Sequence, residues 1–200
     1  MFLGKTELKS LMKSDWKKAG LTIGNRTMPI FNETELANCY VIRGSHWELQ
    51  IDRRFLDNEV KGLIVALMGK LPMEEVFDVK KDEPDQVRLF DQSDELIWQL
   101  EDLDKAEGYL ELTQLYIATG SSMHAVAKAY DKKVCINARL LSLLKPDAIM
   151  LDHGEAQEDG PYYKDGKVFW YNNVSIFAVE TSTMNNEYYE LLQKLNKVDL

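Results

Sequence analysis

Cysteine is scarce: Cys39 and Cys135 stand far apart and form no CxxC, which excludes a disulfide framework and a cysteine-built zinc site. Two buried, reduced thiols are the expectation. Histidine is nearly as rare, with His46, His124 and His153 scattered and no HxH or HExxH pattern, so no metal site and no cofactor is assigned. GxGxxG, GxxxxGK(S/T) and GxSxG are all missing, which leaves dinucleotide, phosphate-loop and α/β-hydrolase chemistry without local support. Five prolines and eleven glycines in 200 residues exclude collagen-like and low-complexity chains. The longest apolar runs, such as Leu63 to Met68, fall far short of the roughly 18 residues that cross a bilayer. The opening MFLGKTELKS places lysines after only two apolar residues, the wrong order for a signal peptide. No membrane partner is expected, and the chain reads as cytoplasmic.

Charge is plentiful but unevenly spread. The net charge of −9 is carried by Glu74 to Glu111, where fourteen acids face four bases. Residues 1–30 run the other way, with Lys5, Lys9, Lys13, Lys17, Lys18 and Arg26 against Glu7 and Asp15. Screening over about 8–10 Å lets a local basic face bind phosphate on a chain that is acidic overall. Neither nucleic acid nor a basic protein is excluded as a partner.

Residues 6–19 are predicted to be helical, with Thr6 as cap, Leu8, Leu11 and Met12 as the apolar stripe and Gly20 as the stop. LTIGNRTMPIF reads as strand and turn on Gly24, Asn25 and Pro29, and NCYVIRG with HWELQI as a hairpin across Gly44-Ser45. A helix over 55–70 turns Phe55, Val60 and Leu63 to the core and stops at Pro72. EVFDVKK and QVRLFD read as short strands, Ser93 as the cap of a short helix, and 110–118 and HAVAKAY as strands. KVCINARLLSLL passes from strand to helix at Asn137 and ends at Pro146. Asp165-Gly166 marks a hairpin, VSIFAVET a final strand, and Asn185 or Asn186 the cap of a last helix through Tyr189, Leu192 and Leu195. The fold class expected is α+β with mainly antiparallel sheets, a few helices and two related halves, 1–112 and 113–200, packed separately or as one domain.

LQIDRRFL (49–56) and VCINARLL (134–141) share Ile-(Asp/Asn)-x-Arg-(Phe/Leu)-Leu at a strand-to-helix step, as two copies of one unit would. YIATGSSMHAVAKAYDKKVCINARLLSLL resembles the stretch of DNA sliding clamps in which a strand bearing ATDG leads through a second strand into a strand-to-helix step. GPYYKDGKVFWYNNVSIFAVET is similar to the closing hairpin of that fold. Gly120-Ser121-Ser122 stands where the clamps carry an acid and a glycine. The resemblance covers about half the chain and implies repeated βαβββ units with helices inside, an oligomer, and a phage-borne protein of DNA metabolism.

Lys9, Lys13 and Lys17, four residues apart, line one side of the first helix and on a clamp-like surface track phosphates. Gln86, Leu89 and Phe90 fit the QxxLF pattern of peptides that dock on bacterial clamps. Asp94, Glu95, Glu101, Asp102 and Asp104, interleaved with Leu96 and Trp98, offer a phosphate-like array to a basic groove on another protein. Asp152-His153-Gly154-Glu155 sets a base beside two carboxylates, although neighbours on a strand point to opposite faces. The first functional expectation is a non-enzymatic, clamp-like scaffold that binds a replication protein or DNA. The second is an acidic, anti-CRISPR-like inhibitor of a host nucleic-acid enzyme or defence nuclease. A small hydrolase using His153 is the third.

Overall fold

The computed structural model describes residues 3–29, 36–94, 96, 110–120, 122–129, 132–144, 160–172 and 174–198. Within them the chain is α+β, with one eleven-stranded antiparallel sheet and four α-helices. The helices are α1 (Lys5–Lys18), α2 (Asn58–Met68), α3 (Ala138–Leu141) and α4 (Asn186–Val198). The strands are β1 (Leu21–Pro29), β2 (Leu36–Arg43), β3 (Trp47–Asp52), β4 (Glu75–Val79), β5 (Gln86–Leu89) and β6 (Glu111–Thr119), then β7 (Ser122–Ala129), β8 (Lys132–Asn137), β9 (Tyr162–Lys164), β10 (Lys167–Asn172) and β11 (Ser175–Met184). Their order is β5-β4-β1-β2-β3-β11-β8-β7-β6, and β10 pairs with both β11 and β9. β11 is the joint: Ser175–Val179 pair with β3, and Thr181–Met184 pair with β8. Among the described residues no helix is long and apolar enough to cross a membrane.

Alternation along each strand gives the sheet two faces. On the inner face Ile23, Tyr40, Ile42, Leu49, Phe177 and Ile136 pack with Leu8 of α1, Ile64 of α2 and Leu140 of α3 in one core. That core draws on both 1–112 and 113–200. The outer face is covered in three places. Phe90 closes a cluster of Met28, Cys39, Val41 and Val76; Leu96 sits on Phe169, Ile176 and Ala178; and Tyr189 of α4 packs with Val126, Cys135 and Met184. The run Cys39-Tyr40-Val41-Ile42 is buried on both faces, which is why it reads as unbroken apolar sequence.

Several local expectations change for identifiable reasons. Gly4, not Thr6, occupies the cap position of α1, and no side chain caps it; Gly20 stops the helix at φ 103° as its N–H bonds Asp15 O at 2.7 Å. Asp57 caps α2 by accepting from Glu59 N at 2.7 Å, so the helix starts three residues later than expected, and Gly69 in the left-handed conformation ends it before Pro72. Phe55 consequently lies in a turn and is exposed, with the Arg54 guanidinium 5.8 Å from its ring centre. Gly24-Asn25 is no turn, because β1 runs through it. A side-chain carbon at Gly24 falls 2.9 Å from the Phe90 ring, and Asn25 is buried with its Nδ2 donating to Pro72 O. Gly24→Ala is expected to destabilise by about 1–3 kcal/mol by lifting Phe90. A thermal or urea midpoint equal to that of the parent protein contradicts this.

The hairpin residues behave as the sequence indicates. Gly44 N bonds Trp47 O, and Asp15 of α1 clamps the turn by accepting from Ser45 N at 3.1 Å and Trp47 Nε1 at 2.8 Å. Asp165 (φ 50°) and Gly166 (φ 80°) turn β9 into β10 with two successive positive angles. Asn185 caps α4 through Glu187 N at 2.8 Å. α3 ends at Leu141, and Pro146 lies outside the described residues.

Candidate functional site

The two copies of the Ile-(Asp/Asn)-x-Arg pattern share one geometry. Asp52 Oδ1 accepts from Arg54 N at 2.7 Å and Asn137 Oδ1 accepts from Arg139 N at 2.9 Å. Each follows a strand whose preceding isoleucine, Ile51 or Ile136, is fully buried in the inner core. Only the second step leads directly into a helix. After Asp52 the chain makes a further turn, and Asp57 takes over the cap.

The lysines divide. Lys9 faces α2, where Glu59 accepts from Lys5 at 2.7 Å and Lys9 at 2.5 Å, and these two hydrogen bonds hold the Glu59 carboxyl down at about 2. Lys9 therefore fastens α1 to α2. Lys13 and Lys17 are exposed one and two turns further along and have no ion-pair partner among the described residues. The loop after β4 meets this end of α1, where Lys81 N donates to Trp16 O at 2.9 Å. This bond brings Lys80 and Lys81, with Asp82 and Glu83 beside them, to the end of α1 that carries Lys17 and Lys18, one to two turns beyond Lys13, as a lysine-rich ridge. Lys80 pairs with Glu83 at 2.6 Å and Lys81 with Asp82 at 3.7 Å, exposed pairs of small energetic worth. Sequence reading missed Lys80 and Lys81 because they sit inside the acidic segment. Beside the ridge lies an open polar groove of about 320 Å³ lined by Gly20, Thr22, Arg43, Ser45 and Lys80.

The acidic segment turns partly inward. Asp94 is 1% exposed and accepts from Arg88 Nη1 and Nη2 at 2.6 and 2.5 Å, from Asp91 N at 3.1 Å and from Arg43 Nη1 at 3.4 Å. Burial pushes its carboxyl up, but the Arg88 hydrogen bonds, the Asp91 N–H and the charges of Arg88 and Arg43 outweigh burial, and the net direction is down. Asp94 is thus a structural carboxylate, not an outward acid offered to a partner. Arg43 continues the belt to Glu48 at 3.3 Å, which accepts from Lys167 at 2.7 Å. Ser93 opens no α-helix among the described residues. It lies in a short 3₁₀ turn, Gln92–Asp94, and donates to Asp91. Glu95, Glu101, Asp102 and Asp104 lie outside the described residues, as does Asp152 to Glu155 with His153.

Gln86, Val87, Arg88 and Leu89 form the exposed edge strand β5, and Leu89 is 79% exposed. Phe90 points the other way, into its own outer-face cluster. A partner pocket therefore meets Leu89 without Phe90 while the chain holds this conformation. His46 bonds Glu180 at 2.8 Å and His124 bonds Thr119 at 3.0 Å, both at the surface. Among the described residues no cluster of three metal-ligating side chains forms. No family of known proteins, no curated protein and no solved structure matches the chain.

Proposed function

We propose that the protein is a non-enzymatic, oligomeric scaffold of DNA metabolism that binds the phosphate backbone through α1. The observation that carries this reading is the basic ridge of Lys13, Lys17 and Lys18 with Lys80 and Lys81, gathered from two distant segments by the Lys81 N to Trp16 O hydrogen bond. Compact ammonium groups spaced one helical turn apart suit a chain of phosphates, and such contacts are sequence-independent. The clamp resemblance favours the same reading: helices α1, α2 and α3 share the inner face, and the Asn137 turn leads into α3 while its counterpart at Asp52 precedes α2 by a further turn.

The test is fluorescence anisotropy with a labelled double-stranded DNA over about 50 to 200 mM salt, alongside the solution mass with and without DNA. Lys13→Glu combined with Lys17→Glu is expected to weaken binding by at least about tenfold at the low end and to reduce the salt slope by about 2, near 0.9 for each phosphate no longer neutralised. Lys9→Gln instead loosens the packing of α1 on α2 and leaves the slope nearly unchanged. A monomer that ignores DNA at every salt concentration removes the proposal. The acidic segment and a basic protein partner then become the line to pursue.

A further inference from the structure

Residues 90–94 and 96 lie on the outer face of the sheet outside its strands, tied to it by one backbone bond, Phe90 N to Glu74 O at 3.2 Å, and seated by three side chains. The Phe90 ring lies in the notch left by Gly24, over Val76, Val41 and Cys39. The Asp94 carboxylate meets Arg43, which projects from β2, together with Arg88. Leu96, fully buried, rests on Phe169, Ile176 and Ala178, and its backbone N–H is taken by the side-chain carbonyl of buried Gln50 at 3.2 Å. Between the anchors Asp91, Gln92 and Ser93 are exposed. The floor of this track comes from β1, β2, β3, β10 and β11, which are fixed from the other side by the inner core.

We propose that this face is a peptide-docking groove, filled in cis by Phe90–Leu96. In trans it takes an extended protein segment with an aromatic residue, a carboxylate four positions on and an aliphatic residue two beyond that. The occupant already in place defines the chemistry: an aromatic ring for the Gly24 notch, an anion for the Arg43 guanidinium and an aliphatic group for the Phe169 to Ala178 seat. Gln50 reads the backbone rather than a side chain. Discrete side-chain anchors, in place of a ladder of backbone bonds, make the segment separable from the sheet as a unit. The Gln86 to Phe90 motif acquires a different role in consequence. Its phenylalanine is held at home, and Phe90 reaches another protein only after a competitor has taken the groove. The proposal is independent of the DNA-binding reading, which concerns α1.

Cys39 reports on the groove. Its thiol is buried beside Phe90 and burial pushes it up to about 12, so it is inert while the segment is seated. Cys135 lies under α4 and serves as the internal reference. In the full chain carrying Phe90→Ala and Leu96→Ala, Cys39 is expected to react with an aromatic disulfide reagent at least about tenfold faster than in the parent, with Cys135 unchanged. A fluorescent peptide of sequence VRLFDQSDELI is expected to bind that variant at least about tenfold tighter than the parent protein and to slow Cys39 again. The peptide with alanine at its aromatic and second aspartate positions is expected to lose binding. Where both cysteines accelerate together, the double variant has lost its fold, and Asp94→Asn repeats the measurement with one conservative change. Failure of a folded double variant, or of Asp94→Asn in its place, to free Cys39 selectively overturns the proposal, and so does selective exposure of Cys39 without peptide binding.

Discussion

Asp94→Asn is expected to lower the stability of the protein by about 3 kcal/mol at neutral pH, and the loss is expected to vanish in acid. The carboxylate is buried, and the bidentate Arg88 fork, Arg43 and Asp91 N–H all converge on it. An amide fills the same space but removes the charge that the two guanidinium groups share, leaving Arg43 to Glu48 and Arg88 to its longer contacts with Asp78 and Asp91. Part of the Coulombic share is screened, since the Arg88 side chain is 42% exposed, and the expected loss sits at the low end of values for broken buried pairs for that reason. The pH dependence follows from the direction of the shift. Asp94 has its native pKa depressed, so its contribution is complete above the unfolded carboxylate value of about 4 and is lost as pH falls through the native value. Urea titrations of parent and variant at about pH 7 and at successively lower pH below about 4 measure this, the difference shrinking as the carboxylate is protonated. An equal difference at every pH rules out the charge as the cause.

Trp170→Ala is expected to cost about 3–5 kcal/mol, as truncation of a buried tryptophan ordinarily does. Trp170 of β10 is fully buried opposite Phe177 of β11, the two rings 6.1 Å apart. Its indole Nε1 is buried and finds no hydrogen-bond partner among the described residues. Phenylalanine removes that unmade bond while keeping most of the ring, so Trp170→Phe is expected to cost under about 1.5 kcal/mol. Denaturant midpoints separate the two variants. Should phenylalanine prove as costly as alanine, the indole nitrogen is engaged after all. Trp47 makes the contrasting case, because its Nε1 donates to Asp15 and the turn Gly44-Ser45 depends on the same carboxylate.

Elements with strong local signals were legible in the sequence. The hairpin at Asp165-Gly166, the apolar stripe of α1 and the strand-to-helix step at Asn137 carry their signal within a few residues, and the turn at Gly44-Ser45 does so even though Asp15 also clamps it. Gly24 and Asn25 misled because their reason lies far along the chain: the notch exists for Phe90 and the amide for Pro72. Charge counting located the acidic segment but not its direction. Asp94 is spoken for by Arg43, fifty-one residues away, and such a pairing leaves no local pattern. The same holds for the ridge, where Lys80 and Lys81 join α1 through a single backbone bond to Trp16. Phe90 and Leu89 are adjacent on a path leaving a strand, so they face opposite ways, and the motif they spell in sequence is divided in space.

The place of β11 has a consequence for how the chain acquires its structure. One end of this strand completes the pairing of β3 and the other completes that of β8, while β10 lies along it as well. Until a ribosome has delivered residues 175 to 184, β3 and β8 each keep an unfilled edge, and the inner core lacks Phe177 and Val179. Closure of the sheet waits on a partner more than one hundred residues downstream of β3. High separation of this kind slows folding and prolongs the exposure of unpaired edges. The nascent chain is therefore most vulnerable to strand-exchange and aggregation just before β11 emerges, and a chaperone that shields β3 and β8 during that interval acts at the narrowest step.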